Sequence, residues 1–119
     1  MRKPLATILL LADRRQSKTA RSLKDSGFRL ITTFTPDHAV AICVGNNVNA
    51  VVLDQEHFMV TEGWSVAQSL KMIRRDICVV LVVRGRIVDH SLPAGVDLVL
   101  PQGDDQTLLN SLKRLLQVA

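Results

Sequence analysis

Two aspartates, Asp13 and Asp54, each come directly after a short, uninterrupted apolar run. Asp54 ends the run Val51-Val52-Leu53, and Asp13 ends the run from Thr7 to Ala12. Runs of this kind indicate strands that are buried on both faces of a parallel sheet. Ligands of open α/β sheets bind outside the carboxyl ends of the strands, so both carboxylates are placed where chemistry usually occurs. A single such aspartate is more often a turn residue or a helix cap. A chemical role for these aspartates therefore needs support from the rest of the chain.

The elements that would position these acids alternate along the chain. Strands are predicted at 7–12, 29–34, 49–54, 77–83 and 95–100. Helices are predicted at about 15–26, 36–44, 64–75 and 104–118, with a loop at 55–63 and at most two helical turns within 84–94. Thr35 followed by Pro36 is typical of a helix start. The βα alternation with right-handed crossovers predicts a five-stranded parallel sheet with helices on both faces.

The composition fits one folded domain spanning residues 1–119. The chain is 47% hydrophobic and 22% charged, which supports a buried core. Its apolar runs are shorter than the roughly 18 residues that a membrane helix needs. Cys43 and Cys78 form no CxxC pattern, so we interpret them as small core residues and expect a cytoplasmic protein.

The net charge of +4 and the four cations of the first helix permit binding to nucleic acid or to an acidic partner. Tyrosine is absent and aromatic residues make up 3% of the chain, which disfavours a base-stacking surface for nucleic acid. A flavin-type cofactor is also disfavoured. Asp13-Arg14-Arg15 stands where a phosphate-binding loop would need glycine, serine or threonine.

The layout resembles the receiver domain of two-component response regulators over nearly the whole chain. The resemblance depends on the acid after the first strand, on Asp54 after the third, and on Gly95-Val96-Asp97 opening the fifth. It implies a flavodoxin-like (βα)5 three-layer sandwich with strand order 2-1-3-4-5. It also implies a signalling domain of a phosphorelay rather than an enzyme.

The resemblance assigns roles to three acids. Asp54 matches the phosphoacceptor, whose carboxylate attacks a phosphoryl group. Asp13 matches one of the two acids that hold Mg²⁺, and Glu56 falls where a backbone carbonyl completes the metal shell. With Asp54 itself, these residues would form the metal site.

Other positions depart from the family pattern. The second metal acid is replaced by Ala12, the fourth-strand hydroxyl by Val83, the lysine by Gln102 and the switch aromatic by Val99. Arg14 and Arg84 are candidate substitutes for the missing charges. We therefore expect a degenerate receiver with weak Mg²⁺ binding and with slow or no phosphorylation.

Two functions remain open at this point. The first is a degenerate receiver that acts through protein contacts with a histidine kinase or an output domain, or through self-association of the 84–118 face. The alternative is an ordinary Mg²⁺-dependent phosphoacceptor that is phosphorylated on Asp54. Neither involves a membrane, and nucleic acid is disfavoured as a partner.

Overall fold

The computed structural model describes residues 6–12, 18–54, 60–83, 95–101, 103 and 105–117. The five strands are β1 (Thr7–Leu11), β2 (Arg29–Thr33), β3 (Ala50–Asp54), β4 (Cys78–Val83) and β5 (Leu98–Pro101). The helices of the described part are α1 (Lys18–Asp25), α2 (Pro36–Gly45), α3 (Val60–Ile73) and α4 (Asp105–Leu115).

All five strands are parallel and lie in the order β2-β1-β3-β4-β5. This confirms the predicted flavodoxin-like order 2-1-3-4-5. The central strand β3 pairs with β1 through Leu11 and Leu53 and with β4 through Asp54 and Val82. The carboxyl ends of β1, β3 and β4 therefore lie side by side.

Strands β1, β3 and β4 are almost wholly apolar on both faces because each face of the sheet is covered by helices. Side chains on successive strand residues point to opposite faces. One core contains Ile8, Leu10 and Val52 together with Leu23 of α1 and Leu112 of α4. The other contains residues from the opposite face and from α2 and α3, among them Leu9, Val51, Leu53, Ala39 and Leu70. This arrangement explains why the strand sequences show no polar alternation.

The start of α2 is confirmed as predicted. Thr35 has extended backbone angles, and its side-chain oxygen accepts a hydrogen bond from the backbone N–H of His38 at 3.2 Å. Pro36 occupies the first turn, where a missing N–H costs nothing.

The start of α3 was predicted wrongly. The helix begins at Val60, whereas the sequence suggested a loop as far as Gly63. A glycine within a helix costs roughly 1 kcal/mol relative to alanine but does not end the helix, so α3 accommodates Gly63. The predicted loop at 55–59 and the segment 84–94 lie outside the described residues.

Strand β5 is shorter at its start than predicted, since it begins at Leu98 rather than at residue 95. Gly95 has a φ of +86° there, which no regular strand allows. A Cβ at this position would lie 3.0 Å from the backbone carbonyl carbon of Ala67 in α3. The chain can pass so close to α3 because residue 95 is a glycine.

Candidate functional site

Asp54 is the last residue of β3, and it is buried with 7% of its surface exposed. Because side chains alternate along a strand, Asp54 faces the same side of the sheet as Val52, toward the core shared with α1 and α4. The carboxyl group therefore lies at the open end of that core, at the edge where ligands of such sheets bind. The sequence predicted this position correctly.

The residues beside Asp54 in the sheet are apolar. On one side it pairs in register with Val82 of β4. On the other side Leu11 pairs with Leu53, so Ala12 is the residue that follows alongside Asp54. Ala12 is buried, and its backbone N–H donates a hydrogen bond to the carbonyl oxygen of Thr33 at 3.0 Å. Its methyl group brings no metal ligand and no hydrogen-bonding group to the site.

The two positions on β4 and β5 that were predicted to be degenerate, Val83 and Val99, occupy defined places in the sheet. Val83 ends β4 and pairs in register with Pro101 of β5. Val99 pairs with Leu81, and its side chain is partly buried against the core shared with α2 and α3. Val99 has no ring to rotate, and Val83 has no hydroxyl to donate.

Several predicted site residues lie outside the described residues, namely Asp13, Arg14, Glu56, Arg84 and Gln102. The residues on either side of Gln102 are described. Pro101 ends β5, and Gly103 has a φ of +100°, a left-handed conformation that glycine adopts without strain. Glycine at position 103 therefore explains how the chain adopts this left-handed conformation between β5 and α4.

The described residues do not by themselves form a metal site. Within the described part of the chain, no group of three or more His, Cys, Asp or Glu side chains could hold a metal ion. Asp54 contributes one carboxylate, and its neighbour Ala12 contributes none. A hard cation such as Mg²⁺ requires several oxygen ligands, so Asp13 and Glu56 would have to supply the others.

A polar cluster at the opposite edge of the sheet was not predicted from the sequence. Oδ2 of Asp97 accepts a hydrogen bond from the backbone N–H of Val79 and lies 2.7 Å from Nζ of Lys71. The Lys71 ammonium group also donates to the carbonyl oxygen of Ile77 at 2.6 Å. The cluster joins the end of α3 to the beginnings of β4 and β5.

A second polar contact joins the two helices on one face. The hydroxyl groups of Thr19 and Ser22 donate hydrogen bonds to the two carboxylate oxygens of Asp105, at 3.2 and 3.1 Å. Since Asp105 is the first residue of α4, its charge also lies at the positive end of the helix dipole. More than eighty residues separate these partners, so sequence spacing gave no signal for the contact.

Burial raises the pKa of both cysteine thiols. For Cys43, which is buried in α2, loss of hydration is the main cause, and Arg74 opposes it. For Cys78, burial is again the main cause, and the nearby carboxylate of Asp97 adds to it. Raised pKa values keep both thiols protonated and unreactive near neutral pH, which agrees with their interpretation as packing residues.

The comparison with solved structures defines the class of fold. A receiver domain protein from Methanospirillum hungatei JF-1 matches with a TM-score of 0.81 and 20% identity, over 95% of this chain and 94% of that one. A receiver protein from Sinorhizobium medicae WSM419 matches with a TM-score of 0.78 and 21% identity, over 94% of both chains. The chemotaxis response regulator CheY4 of Vibrio cholerae matches with a TM-score of 0.78 and 17% identity, over 93% of this chain and 98% of that one.

The chain thus has the flavodoxin-like fold of response regulator receiver domains. The sequence matches no protein-family model and no curated protein. Within the described residues, no helix is long and apolar enough to span a membrane.

Proposed function

We propose that this chain is a receiver-type signalling domain that has lost most of its phosphorylation machinery and acts through protein contacts. The observation that carries the proposal is the position of Asp54, buried at the carboxyl end of β3 between Ala12 and Val82. A carboxylate in this place is what the receiver fold uses as phosphoacceptor. The apolar residues beside it support the degenerate form of the function.

The missing groups would slow phosphoryl transfer for a physical reason. Charge that develops on the transferred phosphoryl group must be met by donors or cations that are already in place. Val83 and Gln102 stand where a hydroxyl and a lysine would meet it. Loss of one such donor costs roughly 2.7–4 kcal/mol in comparable oxyanion sites, and several losses do not simply add.

Weak Mg²⁺ binding belongs to the same proposal. Asp13 and Asp54 would provide two carboxylates, with Glu56 as a further oxygen donor, in place of the three acids that the family uses. We expect a dissociation constant on the order of millimolar, as for weak oxygen-ligand sites. Titration calorimetry of the wild type and of Asp13→Asn tests this. Micromolar affinity that disappears in Asp13→Asn would contradict the expected weakness.

The proposed partners are a histidine kinase, an output domain or a second copy of the chain. Self-association was predicted through the 84–118 face, which includes β5 and α4. In the described part of that face the leucine stripe of α4 packs inward through Leu108, Leu109 and Leu112. Leu115 is its exposed large apolar residue, at 37%. Self-association through this face stays a prediction, to be tested by sedimentation.

The deciding experiment is incubation of the chain with acetyl phosphate and Mg²⁺, followed by intact mass measurement. We expect little or no addition of a phosphoryl group to the wild type. Asp54→Asn is the control, because it removes the nucleophile and keeps the shape of the side chain. Fast, stoichiometric labelling that is absent from Asp54→Asn would instead establish the alternative function, an ordinary phosphoacceptor that works with a relaxed site.

A further inference from the structure

The amino edge of the sheet, where the strands begin and the helices end, carries most of the described positive charge. The described residues include nine lysines and arginines, and seven of them lie at this edge. Three aspartates of the described residues, Asp25, Asp76 and Asp97, lie at the same edge, so the described charges there sum to +4. The edge is the one opposite to Asp54. Its charge therefore cannot serve the phosphorylation site directly.

The contact between α4 and α1 shows that α4 also ends at the amino edge. Its first residue, Asp105, accepts hydrogen bonds from Thr19 in the first turn of α1 and from Ser22 three residues further on. The two helices therefore start at the same end of the molecule and run in the same direction. The last turns of both helices, with Lys24 in α1 and Arg114 in α4, reach the amino edge.

Two of the seven cations are occupied in structural contacts. Lys71 is held by Asp97 and the carbonyl oxygen of Ile77. Arg74 pairs with Asp76 at 3.3 Å and donates to the carbonyl oxygen of Val48 at 3.0 Å. The other five form no ion pair within the described part of the chain: Lys24, Arg29, Arg75, Lys113 and Arg114. Lys113 is half-buried and the others are exposed.

Compensation of helix dipoles explains part of this charge. Cations in the last turn of a helix are stabilised by the negative end of the dipole, which accounts for Lys24, Lys113 and Arg114. Arg29 begins a strand, and Arg75 lies in the turn after α3, so the same explanation does not apply to them.

The same edge also carries most of the exposed large apolar side chains. Of five in the described residues, four lie in the last turn of a helix: Val44 at 68% exposed, Met72 at 88%, Ile73 at 36% and Leu115 at 37%. The fifth, Phe34, lies at the opposite edge, after β2. Exposed apolar groups placed among unpaired cations are typical of an interaction surface.

We propose that this amino edge is a docking surface for an acidic segment of a partner protein that also presents apolar side chains. Carboxylates of such a segment would pair with Arg29, Arg75 and Arg114. Its apolar side chains would cover Met72 and Val44 and remove them from water, which a carboxylate cannot do. The proposal goes beyond the function proposed above, because it requires neither Asp54 nor a phosphoryl group.

Other occupants fit the edge less well. A nucleic acid backbone would leave Met72 and Val44 in water, and no exposed aromatic side chain is described at this edge for base stacking. A flat anionic bilayer would have to cover the exposed carboxylates of Asp25 and Asp76 together with the cations, whereas a narrow peptide segment need not contact them. A second copy docked edge to edge would bring like charges together.

The test is an NMR titration of the labelled full chain with a synthetic helical peptide in which Glu and Leu share one face. We expect amide shifts at Met72, Arg75 and Arg114, and weakening by added salt. A matched peptide with Gln in place of Leu should bind several-fold more weakly. Charge reversal by Arg75→Glu together with Arg114→Glu should lower affinity about tenfold or more.

The matched control is Lys18→Glu together with Arg21→Glu, which makes the same change of charge on the exposed side of α1 away from the edge. It should leave affinity nearly unchanged, and circular dichroism checks that both double variants fold. Equal loss in both would show that net charge alone attracts the peptide. That result would overturn the proposal, as would tighter binding to duplex DNA or to phosphatidylserine-containing vesicles, or shifts confined to the Asp54 edge.

Discussion

The ammonium nitrogen of Lys71 lies 2.7 Å from Oδ2 of Asp97, and the same oxygen accepts the backbone N–H of Val79 at 2.7 Å. One carboxylate thus satisfies a helix side chain and a strand backbone group together. The backbone N–H of Asp97 completes the contact by donating to the carbonyl oxygen of Val79 at 2.8 Å. The result is a fixed junction between α3, β4 and the start of β5.

We predict that Asp97→Ala lowers the free energy of unfolding by about 1–3 kcal/mol, the cost of leaving a buried N–H without its acceptor. Lys71→Met should cost less, about 0–1 kcal/mol, because the ion pair is partly exposed to water. Urea denaturation of both variants measures the difference. A larger loss in Lys71→Met than in Asp97→Ala would show that the ion pair, rather than the Val79 hydrogen bond, stabilises the junction.

Substitution at Gly95 should be more costly than substitution at Gly103 or Gly45. In Gly95→Ala the new Cβ adds a 3.0 Å approach to the backbone of Ala67 to an unfavourable φ of +86°. Gly103→Ala has a φ of +100° but open space, so it should cost only the roughly 1–2 kcal/mol of the left-handed backbone. Thermal unfolding compares the two variants.

Gly45→Ala is the reference for this comparison, since its Cβ would meet nothing within 4 Å and the residue is helical. It should be neutral or stabilising by about 0.4–1 kcal/mol. If Gly95→Ala were no worse than Gly103→Ala, the chain before β5 would have to move away from α3 at little cost.

Mutation of Asp54 should leave the 84–118 face almost unchanged, because we expect this face to keep one constitutive conformation that does not depend on Asp54. A ligand or a charge shifts a conformational equilibrium only through contacts that differ between the two states. Val83 has no hydroxyl, Val99 is held by core packing, and Asp105 ties α4 to α1. We predict nearly identical amide shifts on α4, and the same association state, for wild type, Asp54→Asn and Asp54→Glu.

Nuclear magnetic resonance and sedimentation of the three proteins check this constitutive conformation. Asp54→Asn serves as the control for loss of charge without added length. A change on α4 in Asp54→Glu alone would mean that the acidic site still drives that surface, and the constitutive model would then be abandoned.

The thiol of Cys43 should make stability fall at alkaline pH. Burial raises the pKa of the Cys43 thiol in the folded state, so the folded protein holds this proton more tightly than the unfolded chain does. The resulting contribution to stability is fully present below the unfolded thiol pKa of about 8.5, and it is lost as the pH rises toward the folded pKa. Urea denaturation near neutral pH and near pH 9.5, as an approximate upper point, measures the loss. Cys43→Ala should lose less stability between the two conditions than the wild type.

Val48→Ala is the matched control, because it shortens another fully buried side chain of the same core without removing a titratable group. It should be less stable at both pH values yet keep the wild-type dependence on pH. A Cys43→Ala curve parallel to that of Val48→Ala would show that the thiol does not contribute.

Most of the fold could be predicted from the sequence because its signals are local. The apolar runs before Asp13 and Asp54 and the Thr35–Pro36 start of α2 each reflect the environment of one element. The parallel direction of the strands followed from the alternation of these elements, and the strand order 2-1-3-4-5 followed from the resemblance to receiver domains. The start of α3 was missed because a single glycine weakens a helix without ending it, and local patterns cannot distinguish the two cases.

By itself, the sequence determined which chemical groups are present: Asp54 has a carboxylate, whereas Ala12, Val83 and Val99 lack the groups that the resemblance to receiver domains assigns to their positions. Only the tertiary structure decided which distant residues meet. The contacts of Lys71 with Asp97, of Thr19 and Ser22 with Asp105, and of Gly95 with α3 join separate elements. The grouping of cations and exposed apolar residues at one edge arises in the same way. Parallel strands and returning helices bring the ends of separate elements together, and that proximity has no periodicity along the chain.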